Sequence, residues 1–229
     1  MRLARHLIAS VALLLAAGHA AAQGHGMWVS YRDAYRAMVV FEKYGGPKNL
    51  IQSEMQVAPR DRDGGGEALQ LTLTGKSTQL NLPLDPTGRT SLPLLKAAYD
   101  ENAVLVLSGK DREFVVRSRV SIMVRRDGVY DVAELRQACE QALGYARYVD
   151  RSFGGRQCVG VRFVFPKKAD ANVRVRKAQG DEIALPVGEG VAFQGDADAA
   201  FPIVSYRFTA ERVQLVTSRA PLAIVPLFE

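Results

Sequence analysis

Apolar residues recur at every second position through most of this chain, and that alternation restricts it to a sheet-rich fold. A strand sends successive side chains to opposite faces, so period-two runs read as half-buried strands. Ile51, Met55 and Val57 share one face with Ser53 among them. Leu69, Leu71 and Leu73 form a second face, and Leu80, Leu82 and Leu84 a third, with Gly75-Lys76 as the turn between. Val104 to Leu107 and Phe114 to Val124 continue the pattern. So do Val159, Val161, Phe163 and Phe165, then Val173 and Val175. After a Gly180-Asp181 turn come Ile183, Leu185 and Val187, and Phe201 to Phe228 offers three more short strands.

Two stretches break the alternation with a helical period. From Ser30 to Tyr44, residues Tyr31, Ala34, Tyr35, Met38 and Phe41 fall on one face, and Gly45-Gly46-Pro47 stops the helix. From 132 to 149, residues Leu135, Ala138, Cys139, Ala142, Ala146 and Val149 make the apolar face. Ser30 with Asp33, and Asp131 with Glu134, read as capping boxes. A short third helix is expected from Leu94 to Tyr99. The order of elements then repeats. Pro59, Pro83 and Pro93 in the first half find counterparts in Pro166, Pro186 and Pro202, which suggests a duplicated unit of about 100 residues. The expected fold is therefore mainly β (α+β): two tandem β-sandwich-like lobes, each preceded by one packing helix, over residues 23–125 and 126–229.

Residues 1–22 read as a secretory signal peptide. Arg2 and Arg5 give a basic start, Leu7 to Ala17 an apolar run, and Ala20 and Ala22 the small residues of a cleavage site. The run is too short to span a bilayer, and no later run reaches that length. The expected location is periplasmic or secreted. The formal charge of +6 falls by two once Arg2 and Arg5 are gone, and that mild excess argues against a nucleic-acid partner. Two cysteines, Cys139 and Cys158, are expected to pair in an oxidising compartment. Closing that loop would stabilise the fold by about 3 kcal/mol in the chain-entropy model. Cys158 has the parity opposite to Val159, so the pairing requires the strand to start late or to bulge.

The chemistry-bearing residues exclude more than they assign. Of three histidines only His25 survives cleavage, which removes multi-histidine zinc sites and leaves a Ser-His-Asp triad only that one. Gly75-Lys76-Ser77 lacks the earlier glycine of a P-loop, since Gln70 stands there. Asp61 to Glu67 resembles the start of a calcium loop but has Gly65 and Thr72 where ligands belong. No cofactor is implied. Arg117 and Arg119 share a strand face, as Arg174 and Arg176 do, so both pairs are candidate ligand-binding stripes for an anionic envelope component. Gln23, Gly24 and His25 at the new N-terminus could chelate Cu(II) or Ni(II) through four nitrogens. The expectation is a non-catalytic binding or scaffold module of the bacterial envelope whose partner is an envelope protein or an anionic component. The alternative is an envelope-modifying hydrolase using carboxylates or a Ser-Lys pair.

Overall fold

A computed structural model describes residues 27–59, 69–108, 114–196 and 200–229. The expected signal peptide, the candidate chelating residues Gln23, Gly24 and His25, and the calcium-loop-like sequence Asp61–Glu67 lie outside these residues. The chain is mainly β, with 39% strand against 23% helix. The first half runs β1 (Met27–Ser30), α1 (Tyr31–Lys43), β2 (Ile51–Pro59), β3 (Leu71–Thr74), β4 (Gln79–Leu82), β5 (Arg89–Thr90), α2 (Lys96–Asp100), β6 (Val104–Leu107) and β7 (Phe114–Ile122). The second runs β8 (Val129–Asp131), α3 (Val132–Val149), β9 (Cys158–Val164), β10 (Val173–Arg176), β11 (Glu182–Ala184), β12 (Gly188–Gly190), β13 (Phe201–Arg207), β14 (Gln214–Thr217) and β15 (Ala223–Phe228).

Two small antiparallel sheets have the same order, β1-β6-β3-β4 in the first half and β8-β14-β10-β11 in the second. A third sheet of seven strands crosses both halves in the order β12-β13-β9-β15-β7-β2-β5. The halves meet there where β15 pairs with β7 at Ile224 and Ile122. The expected separation into lobes is thus qualified, because the largest sheet belongs to both.

Each long helix buries the face its periodicity marked. Tyr31, Ala34, Met38 and Phe41 of α1 are buried, and in α3 Leu135, Ala138, Cys139 and Ala142 are. Removing each such large apolar side chain from water is worth roughly 1.5–3 kcal/mol. The first core gathers Tyr31 and Met38 with Met55, Val57, Leu73 and Leu105, and the second gathers α3 with Tyr130, Phe163, Leu215 and Ile224. Val149, expected inside, is 56% exposed at the C-terminal end of α3, next to Tyr148 at 57%. Neither capping box forms. Asp33 turns to Arg36 and Glu134 to Arg125, while Asp131 accepts a hydrogen bond from Gln214. The helices are seated instead by the main chain: Tyr31 N–H donates to the Ala103 carbonyl and Val132 N–H to the Val213 carbonyl, each at 3.1 Å.

Leu80 and Ile183, expected on buried faces, are 39% and 54% exposed. Their strands β4 and β11 are sheet edges, where one side has no neighbour to pack against. Cys139 and Cys158 form a disulfide with Cα atoms 6.0 Å apart. The parity conflict is resolved by a register shift. Opposite β9, Leu227 faces Gly160 and Phe228 faces Cys158, so Val159 is the extra residue of a bulge. The bulge turns Cys158 rather than Val159 toward the second core.

Candidate functional site

The seven-stranded sheet packs one face against α1 and α3; its other face is polar along β2 and β7 and carries a small apolar cluster, Val164 and Ala223 with Phe193, along β9 and β15. Along the β2–β7 ladder Gln52 lies opposite Ser121, Glu54 opposite Arg119, and Gln56 opposite Arg117. This alternation puts six polar side chains on the face away from α1. Beside them, on the edge strand β5, Arg89 is only 3% exposed. A guanidinium carries five N–H donors, and burial is tolerable only if they are matched. Arg89 matches all five. Its Nε donates to Thr87 Oγ1 at 2.8 Å, its Nη1 to Glu54 Oε2 at 2.8 Å and Ser121 Oγ at 3.4 Å, and its Nη2 to Asp85 Oδ2 at 2.8 Å and the Leu222 carbonyl.

The turn that carries Arg89 is built for this. Asp85 Oδ1 accepts from the amides of Thr87 and Arg89, and Gly88 sits at φ +76° against the Val57 carbonyl, where a Cβ would collide. Segment 191–196 of the second half then crosses the polar face. Asp196 Oδ1 meets Arg119 Nη2 at 2.5 Å, and its Oδ2 accepts from Gln56 Nε2 and from the Phe193 amide, both at 3.1 Å. Arg119 Nε donates to Gln56 Oε1 at 2.6 Å. The Phe193 ring lies 5.1 Å from the Arg89 guanidinium and 5.3 Å from that of Arg119. Burial pushes the Arg119 guanidinium below its ordinary value, and the facing Asp196 carboxylate opposes that shift. The cluster is closed: its acids accept from its own arginines and amides.

A second feature is open. A groove of about 840 Å³ lies where α3 begins, between the first turn of the helix, the end of β10 and the 209–214 segment. Arg136, Arg176, Lys177 and Arg212 line it, with Asp131, Glu134 and Glu211 as the acids. Several of these are already engaged. Arg176 pairs with Glu182, Glu134 with Arg125, and Arg136 donates to the Thr209 carbonyl while stacking on Phe208 at 4.7 Å. The side chains of Lys177, Arg212 and Glu211 make no hydrogen bond or ion pair among the described residues.

The four arginines marked by sequence parity fall on two different sheets. Arg117 donates to the Gly195 carbonyl and Arg119 lies under the 191–196 segment, both on the large sheet. Arg174 and Arg176 stand on β10 and share Glu182, whose carboxyl is held below its ordinary value chiefly by the hydrogen bond from Arg176. Of the four, Arg176 alone lines the groove. Arg89, Asp196, Lys177 and Arg212 carried no periodic signal. Arg119 and Asp196 are 77 positions apart, so only the folded chain brings them together. Among the described residues no group of histidine, cysteine, aspartate or glutamate could hold a metal ion, and no helix is long and apolar enough to cross a membrane. No known protein family, characterised protein or solved structure matches this chain.

Proposed function

We propose that this chain is an exported, non-catalytic binding or scaffold module of the bacterial envelope, and that it engages its partner through the groove at the start of α3. The observation that carries the reading is the contrast between the two polar features. Arg89 and Arg119 of the large sheet are matched by Glu54, Asp85 and Asp196, whereas Lys177 and Arg212 in the groove make no ion pair among the described residues. Glu54 and Asp85 converge on Arg89 and not on an open cleft, which favours binding over carboxylate hydrolysis. Export is supported by the order of residues 1–22 and by the Cys139–Cys158 bridge, which persists in oxidising compartments.

The two halves are proposed to be a duplicated β-sandwich-like unit over 23–125 and 126–229. Support comes from the identical order of the small sheets and from the matching main-chain bonds that seat α1 and α3. The experiment is retention of native envelope components on the immobilised chain, compared with a Lys177→Glu/Arg212→Glu variant. Both residues are exposed, so circular dichroism should report an unchanged fold. A component retained at low salt, released by raised salt and lost in the double variant supports the reading. Equal retention by both proteins contradicts it.

A further inference from the structure

The small sheet of the first half turns outward a face made of uncharged side chains and the single tryptophan of the chain. We infer that this face, on β1, β6, β3 and β4, binds a neutral glycan chain. It lies in the other half of the molecule from the groove, and the inference does not rest on the groove.

The strand register sets the outward side chains in two rows. Trp28, Val106, Thr72 and Asn81 lie opposite one another across the four strands, and Ser30, Val104, Thr74 and Gln79 form the next row. The alternate positions Leu73, Leu105 and Leu107 are buried in the first core, whereas Val104 and Val106 belong to no core cluster. Neighbouring strands are about 4.8 Å apart, so each row is a ledge of about 14 Å. At one end of its row Trp28 is 65% exposed, an indole that forgoes the burial a large aromatic ring normally gains. The polar groups are unspent too. Thr72 Oγ1 donates to Asn81 Oδ1 at 3.2 Å, which leaves the Asn81 Nδ2 donors without a partner among the described residues. The side chains of Ser30, Thr74 and Gln79 make no hydrogen bond among the described residues.

The matching sheet of the second half shows the other way to fill such a face. Ser30 and Asp131 each stand just before a long helix, and from that anchor the registers align. Arg174 and Arg176 then occupy the places of Thr72 and Thr74, and Glu182 that of Gln79. Those groups satisfy one another. Both arginines pair with Glu182, and Gln214 donates to Asp131. The two rows of the first half hold no charge, so they offer an ion of either sign no counter-charge. Their hydroxyls and amides both donate and accept hydrogen bonds. Sugar hydroxyls do the same, and the C–H face of a pyranose ring is flat and apolar enough to stack on an indole and rest on Val104 and Val106. The strand spacing is close to the repeat of an extended glycan, so successive rings can lie over successive strands from Trp28 to Asn81.

The probes are chitohexaose and cellohexaose, titrated into the exported protein. Trp28 is the only tryptophan, so its emission reports this face directly. The expected result is a saturable blue shift with at least one of the two sugars, unchanged by raised salt because the ligand is neutral. Preference for the N-acetylated oligomer points to wall glycan and preference for the glucan to a secreted polysaccharide, and either supports the inference. Calorimetry should show binding weakened about ten-fold by Trp28→Ala and largely kept by Trp28→Tyr, which retains an aromatic platform. Thr72→Ala/Asn81→Ala should also weaken it, while Lys177→Glu/Arg212→Glu should leave it intact. No response to either sugar at millimolar concentration, or equal binding by Trp28→Ala, overturns the inference. A blue shift that follows protein concentration without sugar also overturns it, in favour of a contact between copies of the chain. Failure here leaves the groove reading standing, because that reading depends on Lys177 and Arg212 alone.

Discussion

Replacing Arg89 by alanine removes the cation at the centre of the closed cluster, and its cost follows from the geometry. The Arg89 side chain is 2% exposed, and its partners Glu54 and Asp85 are 21% and 26% exposed. Truncating one member of a fully buried pair costs roughly 3–5 kcal/mol, because the other charge is left without compensation. Here water reaches both carboxylates, so the lower end applies. The lost bond to the Leu222 carbonyl and the lost contact with Phe193 add to it. We expect about 3 kcal/mol, which at this chain length lowers the melting midpoint by roughly 10 °C. Urea unfolding with the disulfide intact measures the first number and calorimetry the second. Lys96→Ala is the control. It breaks the Lys96–Asp100 pair, whose side chains are 84% and 55% exposed, and should leave the midpoint unchanged. A loss below about 1 kcal/mol for Arg89→Ala would refute the view that this cluster anchors the sheet.

Three further outcomes follow from the same packing. Reducing the Cys139–Cys158 bridge, or replacing both residues by serine, should lower stability by about 3 kcal/mol in urea, and an unchanged midpoint would contradict a bridge in the folded protein. Gly160→Ala should destabilise strongly, since its Cβ would run into the Tyr206 carbonyl on the neighbouring strand. Gly155→Ala, with nothing within 4 Å, should be neutral. Equal midpoints for the two would be inconsistent with the β9–β13 pairing. The carboxyls of Glu101 and Glu182 are lowered from 4.5, mainly by hydrogen bonds from Ser77 and Arg176 respectively. A lowered folded-state value means stability that is present above pH 4.5 and lost as pH falls through the shifted value. Melting against pH should therefore fall in acid, less steeply in a Glu101→Gln/Glu182→Gln variant, and parallel curves would remove these two groups from the account.

The helices and most strands were legible because their information is local. A period of 3.6 marks α1 and α3 through residues such as Met38 and Leu135, and glycines at 75 and 180 mark hairpin turns. Exposure was less legible. Leu80 and Ile183 alternate like core residues, but their position at a sheet edge depends on which strands pair, and alternation does not encode pairing. The caps failed for a related reason. Asp33 and Glu134 found arginine partners, and a main-chain bond from a distant strand seated each helix instead. The closed cluster could not be seen at all from one position. Arg89, Gln56, Arg119 and Asp196 come from four separate segments, and Arg119, taken alone, reads as part of a basic stripe. Lys177 and Arg212 are likewise unremarkable until β10 and the segment before β14 are set on either side of one groove.

The central claim is that the chain holds an envelope partner at the start of α3. The most direct measurement places a photo-crosslinking residue at Ala210, inside the groove, in cells with an intact envelope. Gly155, exposed and outside the groove lining, carries the control. The account predicts a discrete adduct from Ala210 that disappears when Lys177→Glu and Arg212→Glu are added, and none from Gly155. No adduct at Ala210, or one of equal yield at Gly155 that ignores those changes, would contradict it.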